Sequence, residues 1–88
     1  MKTLHNAEPC QVLLEPLGLG FTVSAVRWRG STWYVKKVLE VYVYWGEWWL
    51  DSSLIGETRV YYLLGTARGE LTIFQHQHQA WFVVGWFD

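Results

Sequence analysis

Short runs of β-branched and aromatic residues, separated by turn residues, make up most of this chain. Several runs alternate apolar and polar positions, as half-buried strands do, and none shows the 3.6-residue apolar period of an amphipathic helix. The pattern predicts strands at residues 10–14, 21–28, 33–44, 58–65, 70–76 and 81–88. Because most connections are hairpin loops, we expect an all-β fold, a six-stranded antiparallel meander curled into a small barrel or a strongly bent sheet.

Two of these strands show signs of local irregularity. The apolar phase of the second strand flips in its middle, and a β-bulge near Ala25 explains the flip. The third strand is long, and we expect it to bend at the adjacent Lys36 and Lys37. The first strand should end in the segment 15–20, because its proline and glycines interrupt regular extension.

The residues Arg-Gly-Ser-Thr at positions 29–32 predict a short loop between the second and third strands, with Gly30 at positive φ. This loop should fold Trp28 opposite Trp33 as an aromatic cross-strand pair. Later in the chain, residues 50–57 are predicted to form a loop or a single helical turn.

The composition indicates one small domain that closes its core with large side chains. Of its 88 residues 51 % are apolar, and seven Trp, five Tyr and four Phe supply the bulk that so short a chain needs. Residues 1–20 are predicted to form an N-terminal strand and a Gly/Pro turn, followed by the core β domain at 21–88. The formal net charge of −1 gives no long-range attraction for a polyanion, so any phosphate binding must come from a local patch.

Cysteine content and hydropathy point to one compartment. Cys10 is the single cysteine of the sequence, which excludes an internal disulfide and a cysteine-based zinc cage and favours the reducing cytoplasm. No apolar run reaches the roughly 18 residues that span a bilayer, and the N-terminus has no apolar stretch of the signal-peptide type. We therefore expect a cytoplasmic protein without membrane association.

The sequence shows no arrangement of residues typical of catalysis. The acidic residues of the central part have no spacing that pairs two of them, and no nucleophile stands out beside a base. His76 and His78 lie two positions apart, as in some metal sites, but their segment holds no further ligand and is typical of a polar hairpin loop. We expect no enzyme activity, no metal site and no cofactor.

Residues 27–37 combine basic and aromatic side chains without an acidic one, which is typical of proteins that bind single-stranded nucleic acid. The candidate nucleic-acid-binding residues are Arg27, Trp28, Arg29, Trp33, Tyr34, Lys36 and Lys37. In that interpretation the cations contact phosphates and the rings stack on bases. The simpler interpretation is that Trp28 and Trp33 belong to the core and the cations form the solvated face of the same hairpin.

Several short aromatic motifs resemble those of a small bacterial domain of unknown function. They are Trp28-Arg29-Gly30, the segment Trp45-Gly46-Glu47-Trp48-Trp49, an arginine that enters a strand at Arg59, and the final run from Trp81 through Phe87-Asp88. The similar domain occurs as a stand-alone protein and as the C-terminal module of ImuB-type proteins, the catalytically inactive Y-family polymerase relatives of bacterial mutasomes. The resemblance covers residues 21–88, and Phe87 stands where the family pattern has a tyrosine.

The resemblance implies a function without chemistry of its own. It points to a non-catalytic module that acts in bacterial DNA repair or translesion synthesis through protein contacts, with a translesion polymerase assembly as the partner. Residues 1–20 lie outside the resemblance and receive no role from it.

The tryptophan-rich stretch at residues 44–50 is the predicted partner site, because exposed Trp and Arg dominate interface hot spots. Trp48 and Trp49 are adjacent and point to opposite sides of an extended chain, so one of them should be core and the other exposed. The predicted partner-binding residues are Trp45, Trp48, Trp49, Tyr42, Tyr44 and Arg59. In an open sheet the last strand would offer a second route, as an edge that pairs with another chain, including a second copy in a homodimer.

Overall fold

The computed structural model describes residues 2–45, 58–76 and 80–87, and these residues form a barrel of six antiparallel strands. The strands are β1 (Lys2–Leu17), β2 (Gly20–Trp28), β3 (Ser31–Trp45), β4 (Thr58–Thr66), β5 (Gly69–His76) and β6 (Ala80–Phe87). Each strand pairs with the next in the chain, and β6 pairs with β1 to close the barrel, which confirms the predicted all-β meander. The predicted loop or helical turn at 50–57 lies outside the described residues. Among those that are described, no helix has the length and apolar character that crossing a membrane requires.

The first strand is longer than its apolar pattern predicts. It begins at Lys2, eight residues before the predicted start at Cys10, and continues through Pro16 to Leu17, which still lies within the segment 15–20 where its end is predicted. Pro16 has no backbone N–H to donate, and a strand tolerates a proline where one of its edges has no hydrogen-bonded neighbouring strand. The described part of β1 meets that condition, because residues 11–17 pair only with β2 and the β6 ladder ends at Cys10.

Two long strands each change partner, and this divides the barrel into two sheets. Residues 11–17 of β1 form a three-stranded sheet with β2 and with residues 31–34 of β3. Residues 2–10 of β1 and residues 35–45 of β3 form the two outer strands of a five-stranded sheet that also contains β4, β5 and β6. The strands β1 and β3 therefore join the two sheets at opposite corners of the barrel.

Irregularities interrupt the ladders close to the positions that the sequence predicts. Ser24 is an extra residue of β2 in the ladder with β1, and its hydroxyl donates a hydrogen bond to the Leu13 carbonyl at 3.0 Å. This confirms the bulge predicted near Ala25. The ladder between β3 and β4 skips Lys36 and then Leu39, so the first irregularity of β3 falls where its bend is predicted.

The turn between β2 and β3 is tighter than predicted. Arg29 and Gly30 are its two central residues, with φ of 50° and 72°, and positive φ at both positions is the signature of a two-residue type I′ hairpin. Trp28 therefore lies opposite Ser31, and the prediction that it lies directly opposite Trp33 is wrong. The two indoles still touch as diagonal neighbours, with ring centroids 6.1 Å apart.

The core lies between the two sheets and consists of aliphatic side chains closed at one end by indoles. Five side chains are almost fully buried, namely Val26, Leu64, Leu71, Ile73 and Val83. Trp28 and Trp33 are buried as well and pack on this cluster. The aromatic load of the hairpin at residues 28–33 is thus used largely for the core, as expected for a chain too short to bury much surface otherwise.

Candidate functional site

Four aromatic side chains lie in one row across the outer face of the five-stranded sheet. The ladders place Tyr42 opposite Tyr61, Tyr61 opposite Phe74, and Phe74 opposite Phe82. Ile73 precedes Phe74 in the chain and is fully buried in the core, so the alternation of the strand directs Phe74 and its cross-strand neighbours outward. We refer to these four residues as the outer aromatic row.

The rings of the outer aromatic row touch one another along its whole length. Tyr42 and Tyr61 are stacked with centroids 5.0 Å apart and planes 6° apart, and the next two contacts have centroid distances of 5.3 and 5.2 Å. Phe74 is buried by its neighbours, whereas Tyr42 at the end of the row is 45 % exposed. The row is therefore rigid inside and accessible at the Tyr42 end.

The surroundings of Tyr42 raise the pKa of its hydroxyl above the ordinary value of 10.0, at which the phenol is already neutral near pH 7. Partial burial raises the pKa of Tyr42, and the nearby Tyr61 and Glu40 raise it further. A neutral phenol at the exposed end of the row can donate one hydrogen bond and accept another from a bound partner.

Arg59 lies beside the outer aromatic row. In the ladder between β3 and β4 it is opposite Tyr44, two register positions from the Tyr42–Tyr61 pair, which is the spacing of residues on one face of a sheet. Its guanidinium carbon lies 5.1 Å from the centroid of the Phe74 ring, within the range of a cation–π contact. The meander thus brings Arg59 beside the two tyrosines with which it was predicted to form a partner site.

Part of the predicted partner site cannot be placed. Trp48 and Trp49 lie outside the described residues, and for Tyr44 and Trp45 only the backbone is described. Which of Trp48 and Trp49 is exposed therefore stays a prediction.

The second predicted route to a partner depends on an open sheet, and the sheet is closed. β6 pairs with β5 along one edge and with β1 along the other. The last strand is therefore not a sheet edge, and pairing of another chain with it would require the barrel to open.

The basic and aromatic residues of 27–37 separate into a packed set and an exposed set. Trp28 and Trp33 are buried, and the guanidinium carbons of Arg29 and Arg68 lie 4.5 and 4.6 Å from the centroids of their respective rings. These two indoles cannot stack on bases without leaving the core. The exposed set consists of Arg27, Tyr34, Lys36 and Lys37, of which Tyr34 is 66 % exposed.

Glu8 of β1 holds Arg29 and Trp28 at one corner of the barrel. Its carboxylate accepts hydrogen bonds from Arg29 Nε at 2.8 Å, from Arg29 Nη2 at 2.7 Å and from Trp28 Nε1 at 3.0 Å. The Arg29 hydrogen bonds are the main reason why the pKa of Glu8 lies below its ordinary value. Arg29 is thus engaged by an acid from β1, which gives the N-terminal strand a structural role.

Sequence reasoning missed three members of the outer aromatic row, Tyr61, Phe74 and Phe82. The signal was present, because Phe74 and Phe82 each adjoin an aliphatic residue of the core, Ile73 and Val83, and must point away from it. The sequence did not reveal that strand pairing would align these outward rings with Tyr42.

Groups that could support chemistry are sparse in the part of the chain that the structure describes. There, no three His, Cys, Asp or Glu side chains come together as a metal site. His76 lies at the end of β5, while His78 falls outside the described residues. Burial raises the pKa of the Cys10 thiol to about 11, which makes it a poor nucleophile near neutral pH.

Comparison with protein-family models, with curated proteins and with solved structures finds no significant match to this chain.

Proposed function

We propose that this chain is a non-catalytic protein-interaction module that binds a partner through the outer aromatic row, Arg59 and the neighbouring tryptophan-rich segment. The observation that carries the proposal is the stacked Tyr42–Tyr61 pair, which continues into Phe74 and Phe82 on the outside of the barrel. The outer face of an antiparallel sheet is ordinarily polar, so a row of contacting rings there, with Tyr42 exposed at its end and Phe74 buried by its neighbours, is unusual and suits a binding surface.

The composition of this surface supports a protein partner. Tyr and Arg are enriched among the residues that dominate interface energies, and Arg59 lies two register positions from Tyr42 on the β3–β4 ladder, a spacing that places both on the same face of the sheet. Because the rings already pack on one another, they lose little side-chain freedom on binding, which reduces the entropic cost of association. A neutral Tyr42 hydroxyl adds one directional contact.

The biological setting of the proposal comes from the resemblance to the module found in ImuB-type proteins. On that basis the partner belongs to a bacterial DNA-repair or translesion assembly, and the site of action is the cytoplasm. The resemblance motif includes Trp45, Trp48 and Trp49, which follow Tyr42 and Tyr44 in the chain. These tryptophans remain part of the proposed partner site.

Affinity capture with matched variants tests the proposal. The tagged chain is expressed in bacteria exposed to a DNA-damaging agent, and the co-purified proteins are quantified for the wild type, Tyr42→Ser and Phe87→Ser. Both side chains are exposed apolar rings, but Phe87 pairs with Glu70 at the far end of β6. Loss of a hot spot worth about 2 kcal/mol should reduce the captured repair proteins about thirtyfold for Tyr42→Ser alone.

The controls separate loss of a contact from loss of folding. Both variants should stay folded, since Tyr42 and Phe87 are both about half exposed, and Tyr42→Ser should lose only the stability that its stacking on Tyr61 contributes. Capture of the same proteins in the same amounts by folded Tyr42→Ser would contradict the proposal. Parallel capture with Trp48→Ala and with Trp49→Ala tests the tryptophan-rich segment separately.

Binding of single-stranded nucleic acid is the second candidate, and one observation favours it. Tyr34 is exposed beside a set of cations, Arg27, Lys36 and Lys37, for which no ion pair occurs among the described residues. An accessible ring among unpaired cations suits base stacking combined with phosphate contacts. The buried Trp28 and Trp33 do not contribute to this version of the site.

Fluorescence anisotropy of labelled single-stranded DNA tests the second candidate. Three phosphate contacts predict a slope of about −2 in a plot of log affinity against log salt. Tyr34→Ser should weaken binding about fivefold or more, because stacking contributes roughly 1–3 kcal/mol per base. Absence of binding at about 100 μM protein in low salt would remove this candidate.

A further inference from the structure

The strands β2 and β3 separate soon after the turn that joins them. Their ladder contains four residue pairs, from Trp28 opposite Ser31 to Ala25 opposite Tyr34. Beyond it, residues 20–24 pair only with β1, and the described residues of β3 from position 35 pair only with β4. Among the described residues, the barrel therefore has a gap bounded by two strand edges whose backbone groups face no neighbouring strand.

Behind this gap lies an apolar cavity of about 340 Å³ at one end of the barrel. Its walls come from all six strands, and its rim carries large apolar side chains that remain in solvent. Leu17 is 66 % exposed and Phe21 is 72 % exposed, and Leu14 and Val41 are exposed beside them. Exposed apolar side chains clustered around a cavity are typical of a binding groove.

Charge is unevenly distributed along the gap. Lys36 and Lys37 lie on β3 just beyond the end of the β2–β3 ladder, and both are exposed. Neither has an ion pair with any described residue. The gap is thus basic where the strands part and apolar toward Leu17 and Phe21.

We propose that this gap binds an extended peptide of a partner protein, which pairs with the free edge of β3, inserts alternate apolar side chains into the cavity and places acidic residues beside Lys36 and Lys37. Strand addition satisfies backbone groups of the edge and fills pockets with every second side chain, which matches an open edge over an apolar cavity. The basic end fixes the direction of the peptide by charge complementarity. This site is separate from the outer aromatic row and does not depend on it.

A second copy of the chain is a poorer occupant than a peptide. Two β3 edges could pair across a two-fold axis, but that arrangement would leave the cavity behind each edge unfilled. A peptide would both hydrogen-bond with the strand edge and fill the cavity with its side chains. Self-association is therefore an alternative outcome of the test.

Two synthetic peptides serve as probes. One has two glutamates followed by alternating valine and threonine, and the other has two lysines in place of the glutamates. We expect the acidic peptide to bind at least tenfold more tightly and to slow amide hydrogen exchange along residues 38–43. Methylation of alternate backbone nitrogens, which removes their N–H donors, should abolish binding.

Variants locate the binding to the gap. Leu17→Ser and Phe21→Ser should each weaken binding of the acidic peptide at least fivefold, while Phe87→Ser, at an exposed apolar position outside the cavity, should leave it unchanged. The double variant Lys36→Glu, Lys37→Glu should reverse the preference in favour of the lysine peptide. All five positions are exposed, so folding should be retained.

Three results would overturn the inference. The first is no binding of the acidic peptide at about 1 mM with unchanged hydrogen exchange along β3. The second is concentration-dependent protection of the β3 edge in the chain alone, which would assign the gap to a second copy. The third is stronger protection of the same amides by single-stranded DNA than by the peptide, with loss on Lys36→Glu. Failure of Tyr42→Ser to affect capture would leave this inference untouched, because Tyr42 lies outside the cavity.

Discussion

The carboxylate of Glu8 and the guanidinium of Arg29 form a bidentate ion pair, with N–O distances of 2.8 and 2.7 Å, between the first strand and the β2–β3 turn. The ion pair lies at the corner of the barrel where β1 changes partner, from β6 for the residues up to Cys10 to β2 for the residues from Gln11. It holds this corner by side chains where the backbone ladder is absent. At the opposite corner, between β2 and β3, the described residues form no comparable bridge, and there the apolar gap is open.

We predict that Glu8→Gln makes the barrel less stable at neutral pH and less sensitive to acid. The depressed pKa of Glu8 means that its ionised form favours the folded state, so its contribution is present above the ordinary value of 4.5 and is lost as the pH falls through the folded pKa. Urea unfolding from pH 3 to pH 7 measures the effect. Glutamine keeps an oxygen that can accept the Trp28 hydrogen bond, so the variant isolates the charge.

Glu15→Gln is the matched control for this prediction. Glu15 is also a glutamate of β1, but it is exposed and has no ion pair with a described residue. Replacing Glu15 should not change how much stability the barrel loses between pH 7 and pH 3. Equal acid sensitivity of the wild type and Glu8→Gln would show that the ion pair with Arg29 does not contribute to folding.

We predict that Gly30→Ala destabilises the barrel by about 1–2 kcal/mol, because φ of 72° is strained for a residue with a Cβ atom. Gly65→Ala provides the comparison. Gly65 is not at a left-handed φ, and its new Cβ would meet Lys37 Cγ at an ordinary 3.5 Å, so its effect should stay within about 0.5 kcal/mol. Chemical denaturation of both variants gives the two values. A smaller loss for Gly30→Ala than for Gly65→Ala would refute the type I′ turn.

Cys10 should react slowly with thiol reagents while the barrel is folded. A pKa of about 11, compared with the ordinary 9.0, leaves about 100-fold less thiolate at pH 8. Alkylation by iodoacetamide, followed by mass spectrometry, should therefore be far slower in buffer than in denaturing urea. Similar alkylation rates in the two solutions would mean that the fold does not shield the Cys10 thiol from the reagent.

Alternation along the chain was sufficient to predict the strands and the bulge in β2, since both depend on neighbours in sequence. The phase flip around Ala25 is a local property, and the extra residue is Ser24, one position earlier. Turn length was harder, because Arg29 adopts a positive φ that the sequence does not favour for arginine. The two-residue turn that results displaced Trp33 from the position predicted opposite Trp28.

The outer aromatic row and the gap could not be predicted from the sequence, because both depend on pairing between strands. A shift of one residue in any of three ladders would remove Tyr61, Phe74 or Phe82 from the row. The gap arises because β3 leaves β2 after Tyr34 and continues beside β4. The bend predicted at Lys36 and Lys37 falls just beyond this change of partner, but the sequence does not show that β3 parts from β2 there.

Site-specific photo-crosslinking tests the central proposal, that the outer aromatic row binds a partner protein, most directly. The photoreactive residue p-benzoylphenylalanine replaces Tyr42 in one protein and Phe87 in another, and bacteria producing each are irradiated after DNA damage. We predict a crosslinked product between position 42 and a protein of the repair or translesion machinery, with no such product from position 87. Absence of a crosslink at position 42, or the same products from both positions, would contradict the proposed function.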